Sequence, residues 1–296
     1  MLAPFPDAAR INIPPEWANS LLRAAESLPL YDNKEFYSTA LQAHVLKSVR
    51  EFCPENFDSV INMIKERIAR RPYCALVHGL KFDEGNRLFV AINRSFGELV
   101  ARPFEKPRAQ LVHYVQPATD IYSSRGGHES ERLHTDTADW EPPVEMISMI
   151  CVRADRAGGG RSRVLDIDSV RDEVEKRLGF ETLKRLETEP VPWQIADYLG
   201  GGVKWRTVLA TGRMCWRRYT INLALDSNGG RLSQEMLEAL DAFEEVISTT
   251  PLTIDFLMGE GDLLVSDNIR TIHARTPIND GALSDRLMIR SWIRAA

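Results

Sequence analysis

Gly261-Asp-Leu-Leu-Val-Ser-Asp-Asn-Ile-Arg-Thr-Ile-His273-Ala-Arg-Thr-Pro277 is a short apolar run that ends in a polar turn, with a histidine just beyond it. The same texture recurs along the chain from about Gln110. Leu111–Val115, Glu145–Arg153, Arg163–Ile167, Arg218–Leu225, Thr253–Leu257, Asp262–Val265 and Leu287–Ile293 are rich in Val, Ile, Leu and Tyr and are separated by Gly, Asp and Asn. Such runs read as strands, because branched and aromatic side chains suit a pleated surface. Many short strands with turn punctuation predict a sandwich or jelly roll.

Outward from these runs the periodicity changes. One helix is expected from Asp168 or Ser169 through Val170, Val174 and Leu178 to Gly179, and another after Ser233 through Leu237, Leu240, Phe243 and Ile247. Apolar residues three or four apart, behind a capping residue, are the signal in both. The first hundred residues read as mainly helical. Pro14-Pro15 opens a helix carrying Trp17, Leu21, Leu22 and Ala25; Phe36 to Phe52 aligns Leu41, Val45 and Val49; Asp58 to Arg70 aligns Val60, Ile61, Ile64 and Ile68. Tyr73 to Leu80 is a nearly continuous apolar run and reads as a buried strand, and Ala91 to Val100 as a further helix. No repeat, linker or low-complexity segment divides the chain. The expected organisation is one domain over 1–296, with a helical part at 1–72 and a strand-rich core with helical inserts at 73–296.

Composition excludes several functions. The 296 residues carry 37 Lys and Arg against 42 Asp and Glu, a net charge of -5, which is the wrong sign for a nucleic-acid binder that works by neutralising phosphates. No apolar stretch approaches the ~20 residues of a membrane helix, Met146 to Val152 being the longest dense run. The first residues lack the basic and apolar regions of a secretory signal. Cys53, Cys74, Cys151 and Cys215 lie far apart with no C-x-x-C pair, as expected of reduced thiols in a cytoplasmic protein.

Two histidines have chemically meaningful neighbours. In Leu133-His134-Thr135-Asp136, extended backbone places the imidazole and the carboxylate on one face, since strand side chains alternate. That is two thirds of a 2-His-1-carboxylate set, which suits iron(II) and leaves coordination positions open. His273 lies far downstream, where a jelly roll can bring distant strands together. His44, His78, His113 and His128 have no ligand partner at a meaningful spacing.

Taken in order, Val77-His-Gly-Leu80, His134-Thr-Asp136, Gly159-Gly-Arg-Ser162, Asp267-Asn-Ile-Arg-Thr-Ile-His273-Ala-Arg275 and Asp285-Arg286-x-x-x-Arg290 resemble the taurine dioxygenase-like superfamily of iron(II)/2-oxoglutarate-dependent oxygenases. Within it the clavaminate synthase and amino-acid hydroxylase branch is the most similar, from Tyr73 to the C-terminus. The resemblance implies a mainly β fold with flanking helices around a double-stranded β-helix, a cupin-like jelly roll. It implies iron(II) held by His134, Asp136 and His273, with 2-oxoglutarate and dioxygen as cosubstrates. Arg286 would hold the distal carboxylate of 2-oxoglutarate, as a guanidinium fork can. Ser162 would help, in a place where the family usually carries threonine. Arg290 would meet the substrate or form an ion pair that structures the sheet. Arg270 and Arg275 would support His273. The implied reaction is hydroxylation of an unactivated C–H bond, with succinate and carbon dioxide released; desaturation and cyclisation stay open, and halogenation is disfavoured because Asp136 is present.

Substrate identity is less legible. Trp193, Tyr198, Trp205, Trp216 and Tyr219 interleave with Lys204, Arg206, Arg213, Arg217 and Arg218, and read as a small-molecule pocket wall. Amino-acid hydroxylases of this branch tend to read Arg-Phe-Asp near Arg218, where this chain reads Arg218-Tyr219-Thr220. The missing acid leans toward an amide, a cyclic dipeptide or another peptide-derived product. Gly200 to Gly202 reads as a loop over the site and Gly158 to Gly160 as a hairpin turn. The alternatives are a taurine or alkyl-sulfonate dioxygenase and a non-catalytic cupin-like metal-binding protein. A hydrolase built on Ser162 or Ser266 ranks lower, for want of a G-x-S-x-G elbow. Oligomeric state is left open.

Overall fold

The structure, a computed structural model, describes residues 2–101, 111–115, 131–227, 230–278 and 284–295. The chain begins with strand β1 (Arg10–Asn12) and helices α1 (Pro15–Glu26), α2 (Thr39–Phe52) and α3 (Pro54–Ile68). Then come β2 (Cys74–His78), α4 (Arg87–Arg94), β3 (Gly97–Val100), β4 (His113–Val115), β5 (Met146–Arg153) and β6 (Ser162–Asp166). Helices α5 (Ile167–Leu178) and α6 (Phe180–Thr188) precede four short strands, β7 (Val191–Gln194), β8 (Val203–Arg206), β9 (Leu209–Ala210) and β10 (Arg213–Met214). The chain closes with α7 (Arg218–Asp226), α8 (Gln234–Thr249), β11 (Ile254–Phe256), β12 (Leu263–Asp267), β13 (Thr271–Arg275) and β14 (Leu287–Ala295).

The helix starts follow local chemistry. Ser38, Asp166 and Ser233 accept hydrogen bonds from the amides of Leu41, Ser169 and Met236, which caps α2, α5 and α8. Pro15 opens α1, where its missing N–H costs nothing.

Seven strands form one sheet in the order β1-β2-β12-β5-β14-β3, with β4 beside β14; a second sheet runs β11-β6-β13. Only the β1/β2 pair of these is parallel. Strand alternation sorts the side chains into two cores. Ala75, Val77, Leu263, Val265, Ile289 and Ile293 pack against α1 to α4. Leu76, Leu264 and Met288 face the other way, onto Val164 of β6 and Ile254 and Phe256 of β11. The large sheet is therefore buried on both faces, which is why β2 and β12 read as unbroken apolar runs. Leu165 and Ile272 of the small sheet pack in turn against Val170, Val174, Leu240 and Phe243 of α5 and α8. The layers run helices, sheet, sheet, helices. No helix among the described residues is long and apolar enough to cross a membrane.

Several expectations need correction. Among the described residues 40% are helix and 24% strand, so "mainly β" understates the two helical layers that cover the sheets. Ala91–Val100 is not one helix: α4 ends at Arg94, and Gly97–Val100 pairs with β14 so closely that a side chain at Gly97 would strike the Arg294 carbonyl. Arg218–Leu225 is helix α7, not a strand; it buries Thr220, Ile221 and Ala224 on one helical stripe. Short apolar runs carry both periods, and tertiary packing decides between them. Residues 158–160 do not close a hairpin, because β5 and β6 belong to different sheets. Within the mainly helical N-terminal part, the short β1 extends the large sheet beside β2. His128 lies outside the described residues.

Candidate active site

The site begins with a backbone pairing. His134 and His273 face each other across an isolated antiparallel bridge, each amide donating to the other's carbonyl at 3.0 and 2.9 Å. The rings lie 4.6 Å apart. His134 Nδ1 donates to the Arg132 carbonyl at 2.8 Å. A carbonyl only accepts, so the proton sits on Nδ1 and the Nε2 lone pair remains for a cation.

Asp136 completes the group. Its Oδ1 lies 3.6 Å from His134 Nε2 and 3.8 Å from His273 Nε2. The three ligand atoms fall within 4.8 Å of one another, and both His134 and Asp136 are buried. Its outer oxygen, Oδ2, accepts hydrogen bonds from Trp292 Nε1 at 2.8 Å and Arg290 Nη1 at 3.0 Å. One oxygen thus faces the histidines while the other is held from behind by β14. Asn268 clamps the backbone: its Oδ1 accepts the Asp136 amide at 3.0 Å, and its Nδ2 donates to the carbonyls of Asp136 and Val144 at 3.0 and 2.8 Å. Thr135 is tied on the other side, donating its amide to the Trp216 carbonyl at 2.7 Å and accepting the Trp216 amide on Oγ1 at 3.0 Å.

Electrostatics follow from this packing. Burial pushes His134 down to about 4, further than Asp136 raises it, so the imidazole is neutral near pH 7 as a metal ligand must be. Burial alone would raise the Asp136 carboxyl. The Arg290 guanidinium outweighs it and holds the group well below the usual carboxylate range. Two imidazole nitrogens and one carboxylate oxygen, converging, are the donor set of a non-haem iron(II) centre with open positions. The residues fit that metal.

The other expected residues lie around this group. Arg286, just ahead of β14, is buried and donates from Nη2 to the Gly160 carbonyl at 3.3 Å. Gly160 has a φ of +63°, and a Cβ there would stand 2.7 Å from Arg286 Nε, so the glycine makes room for the guanidinium. Ser162 is buried on β6, opposite Arg275 of β13. Arg275 pairs with Glu131 at 3.5 Å, and Arg270 lies over the Tyr73 ring. The loop at Gly200–Gly202 follows Tyr198, whose hydroxyl accepts from Trp140 Nε1 at 2.7 Å, and Trp140 packs edge-on against Trp292 at 5.9 Å. His78 is held between Arg10 and Asp262, away from this group.

Residues 67–292 match the family described as taurine catabolism dioxygenase TauD, TfdA. The chain belongs to this family. It is an oxygenase that uses iron(II), 2-oxoglutarate and dioxygen. Among solved structures it is similar to asparagine oxygenase (AsnO), at 15% identity, TM-score 0.74, and coverage of 98% of this chain and 94% of that one. It is also similar to the non-haem iron oxygenase OrfP in complex with Fe, succinate and (3S)-hydroxy-L-Arg, at 17% identity, TM-score 0.72, and coverage of 97% and 94%. At these identities the likeness establishes the fold. Among curated proteins none matches this chain.

Trp292 and Asn268 were not assigned roles from sequence. Trp292 stands two residues after Arg290, which on a strand is the same face; that spacing was the available signal. Asn268 lay within the quoted His273 stretch, but only the fold brings it under Asp136.

Proposed function

We propose that this protein hydroxylates an unactivated C–H bond of an amino-acid- or peptide-derived small molecule. The observation that carries this is the convergence of His134 Nε2, Asp136 Oδ1 and His273 Nε2 beside a strand that leads out of Arg286. When bound, iron(II) with 2-oxoglutarate and dioxygen supplies the oxidising power, and 2-oxoglutarate leaves as succinate and carbon dioxide. The chain's residues do the rest. His134 and His273 offer ring nitrogens, and Asp136 offers one oxygen because Arg290 and Trp292 occupy the other. Arg286 is assigned to the distal carboxylate of 2-oxoglutarate. It is buried next to Gly160 and, among the described residues, makes no ion pair, so an anion must satisfy it. Ser162 adds its hydroxyl to that end. Arg290 serves Asp136 first, and a substrate contact through the same guanidinium remains part of the proposal.

The two sheets are read as a double-stranded β-helix within one domain over 1–296. Support comes from Met288 and Leu264 meeting Val164 and Phe256 between the sheets. A cytoplasmic setting is supported by four cysteines that are all free, three of them buried. The test is anaerobic reconstitution of the full chain with iron(II) and 2-oxoglutarate, followed by oxygen and an amino-acid and peptide panel. Succinate formed in step with hydroxylated product is expected. Metal uptake with no 2-oxoglutarate binding would instead favour the non-catalytic alternative.

A further inference from the structure

The arginines around the metal group can be accounted for one by one. Arg290 faces Asp136 at 3.0 Å, Arg275 faces Glu131 at 3.5 Å and Arg206 faces Glu141 at 3.4 Å. Arg218, at the start of α7, faces Asp241 at 2.5 Å. Two guanidiniums near the histidines make no ion pair among the described residues. One is Arg286, already assigned to 2-oxoglutarate. The other is Arg217.

Arg217 is placed by the backbone, not by chance exposure. Trp216 is bonded at both its amide and its carbonyl to Thr135, the residue between the two metal ligands His134 and Asp136. Arg217 follows directly, before the first turn of α7, and its charge is felt at His134. Its Nε is buried and, among the described residues, has no hydrogen-bond partner; the Nε atoms of Arg206 and Arg290 share that condition, but their guanidiniums are held by carboxylates. A guanidinium nitrogen removed from water without an acceptor is costly, and such groups are rare unless something arrives to satisfy them. Asp136, Glu131, Glu141 and Asp241 each face an arginine other than Arg217. Among the described residues Arg217 is thus a cation left over for a substrate anion.

We propose that Arg217 binds a carboxylate of the substrate, so that the substrate is an acidic amino-acid or peptide derivative and not a neutral cyclic dipeptide. The inference rests on the oxygenase reading above and adds the charge of the substrate to it. The carboxylate would accept from the guanidinium in the charge-assisted, forked geometry that arginine favours.

The test uses the full-length protein with iron(II) and 2-oxoglutarate under anaerobic conditions. Binding is read from the change a ligand makes in the visible absorption of that complex. The probes are matched sets: N-acetyl amino acids, the primary amides of the same compounds, and the corresponding cyclic dipeptides. The carboxylates are expected to bind on the order of ten- to a hundredfold more tightly than their amides, the size of a hydrogen bond to a charged group. Arg217→Ala should erase that ratio and Arg217→Lys should restore part of it. The ratio is internal to each variant, so a loss of folded protein does not mimic the effect. The proposal is overturned if amides or cyclic dipeptides bind as well as carboxylates, if no carboxylate binds, or if the ratio survives in Arg217→Ala. If iron(II) and 2-oxoglutarate give no visible absorption together, the oxygenase reading itself has failed, which is a separate result.

Discussion

Replacing Trp292 by phenylalanine isolates what the strand behind Asp136 contributes. The indole N–H donates to Asp136 Oδ2 at 2.8 Å, while Arg290 donates to the same oxygen at 3.0 Å. Phenylalanine retains an aromatic ring against Trp140, whose centroid lies 5.9 Å away, and removes the donor. Arg290 stays, so the buried carboxylate keeps its counter-charge and the loss is one hydrogen bond to a charged acceptor, about 1.5–3 kcal/mol. The outer oxygen then has one fewer restraint, and the carboxylate can rotate away from presenting Oδ1 alone to a metal. Partners of this kind are worth about ten- to a hundredfold in metal affinity. The assay is calorimetric titration of the metal-free protein with iron(II) in an anaerobic cell, beside the thermal midpoint of both proteins. A Trp292→Phe protein with an unchanged midpoint and an unchanged affinity would refute the reasoning. Arg290→Gln should weaken the metal further, because it removes the charge that holds Asp136 down.

Gly160→Ala should raise the KM for 2-oxoglutarate and leave metal affinity alone. The new methyl meets Arg286 Nε at 2.7 Å at a φ of +63°, a local strain of about 1–3 kcal/mol, and steady-state kinetics beside metal titration separates the two effects. Asn268→Ala removes three hydrogen bonds from a fully buried position and leaves the Asp136 amide unsatisfied. A loss of at least ~2 kcal/mol is expected in urea unfolding, with metal binding weakened in parallel. The metal-free protein should lose stability as pH falls from ~6.5 toward about 4, because burial puts His134 at about 4 in the folded state and the unfolded chain then binds more protons. Unfolding free energy measured across that range should rise with pH; a flat profile would show that His134 is not buried neutral.

Elements with strong local signals were legible. The helices after Ser38 and Ser233 start where those hydroxyls cap them, and β2 and β12 appear as apolar runs because both of their faces are covered. Arg218–Leu225 reads as a strand because Tyr219, Ile221, Leu223 and Leu225 alternate, whereas packing against the core buries Thr220, Ile221 and Ala224 on a helical stripe. His134, Asp136, His273 and Arg286 were legible as an ordered set of residue types.

Chemistry carried by residue identity and spacing was therefore determined by the sequence itself: which side chains can ligate a metal, and which family the chain resembles, the resemblance in turn suggesting Arg286 for a dicarboxylate. Only the tertiary structure decided how those atoms are used. It turns one oxygen of Asp136 toward the histidines and pins the other with Arg290 and Trp292, a division that no spacing encodes. It also pairs Arg206, Arg218, Arg275 and Arg290 with carboxylates far away in the chain and leaves Arg217, next to the Trp216 that bonds Thr135, without one among the described residues. Charge composition counts residues, whereas a site depends on which charges remain unmatched after packing, and that is a property of distances.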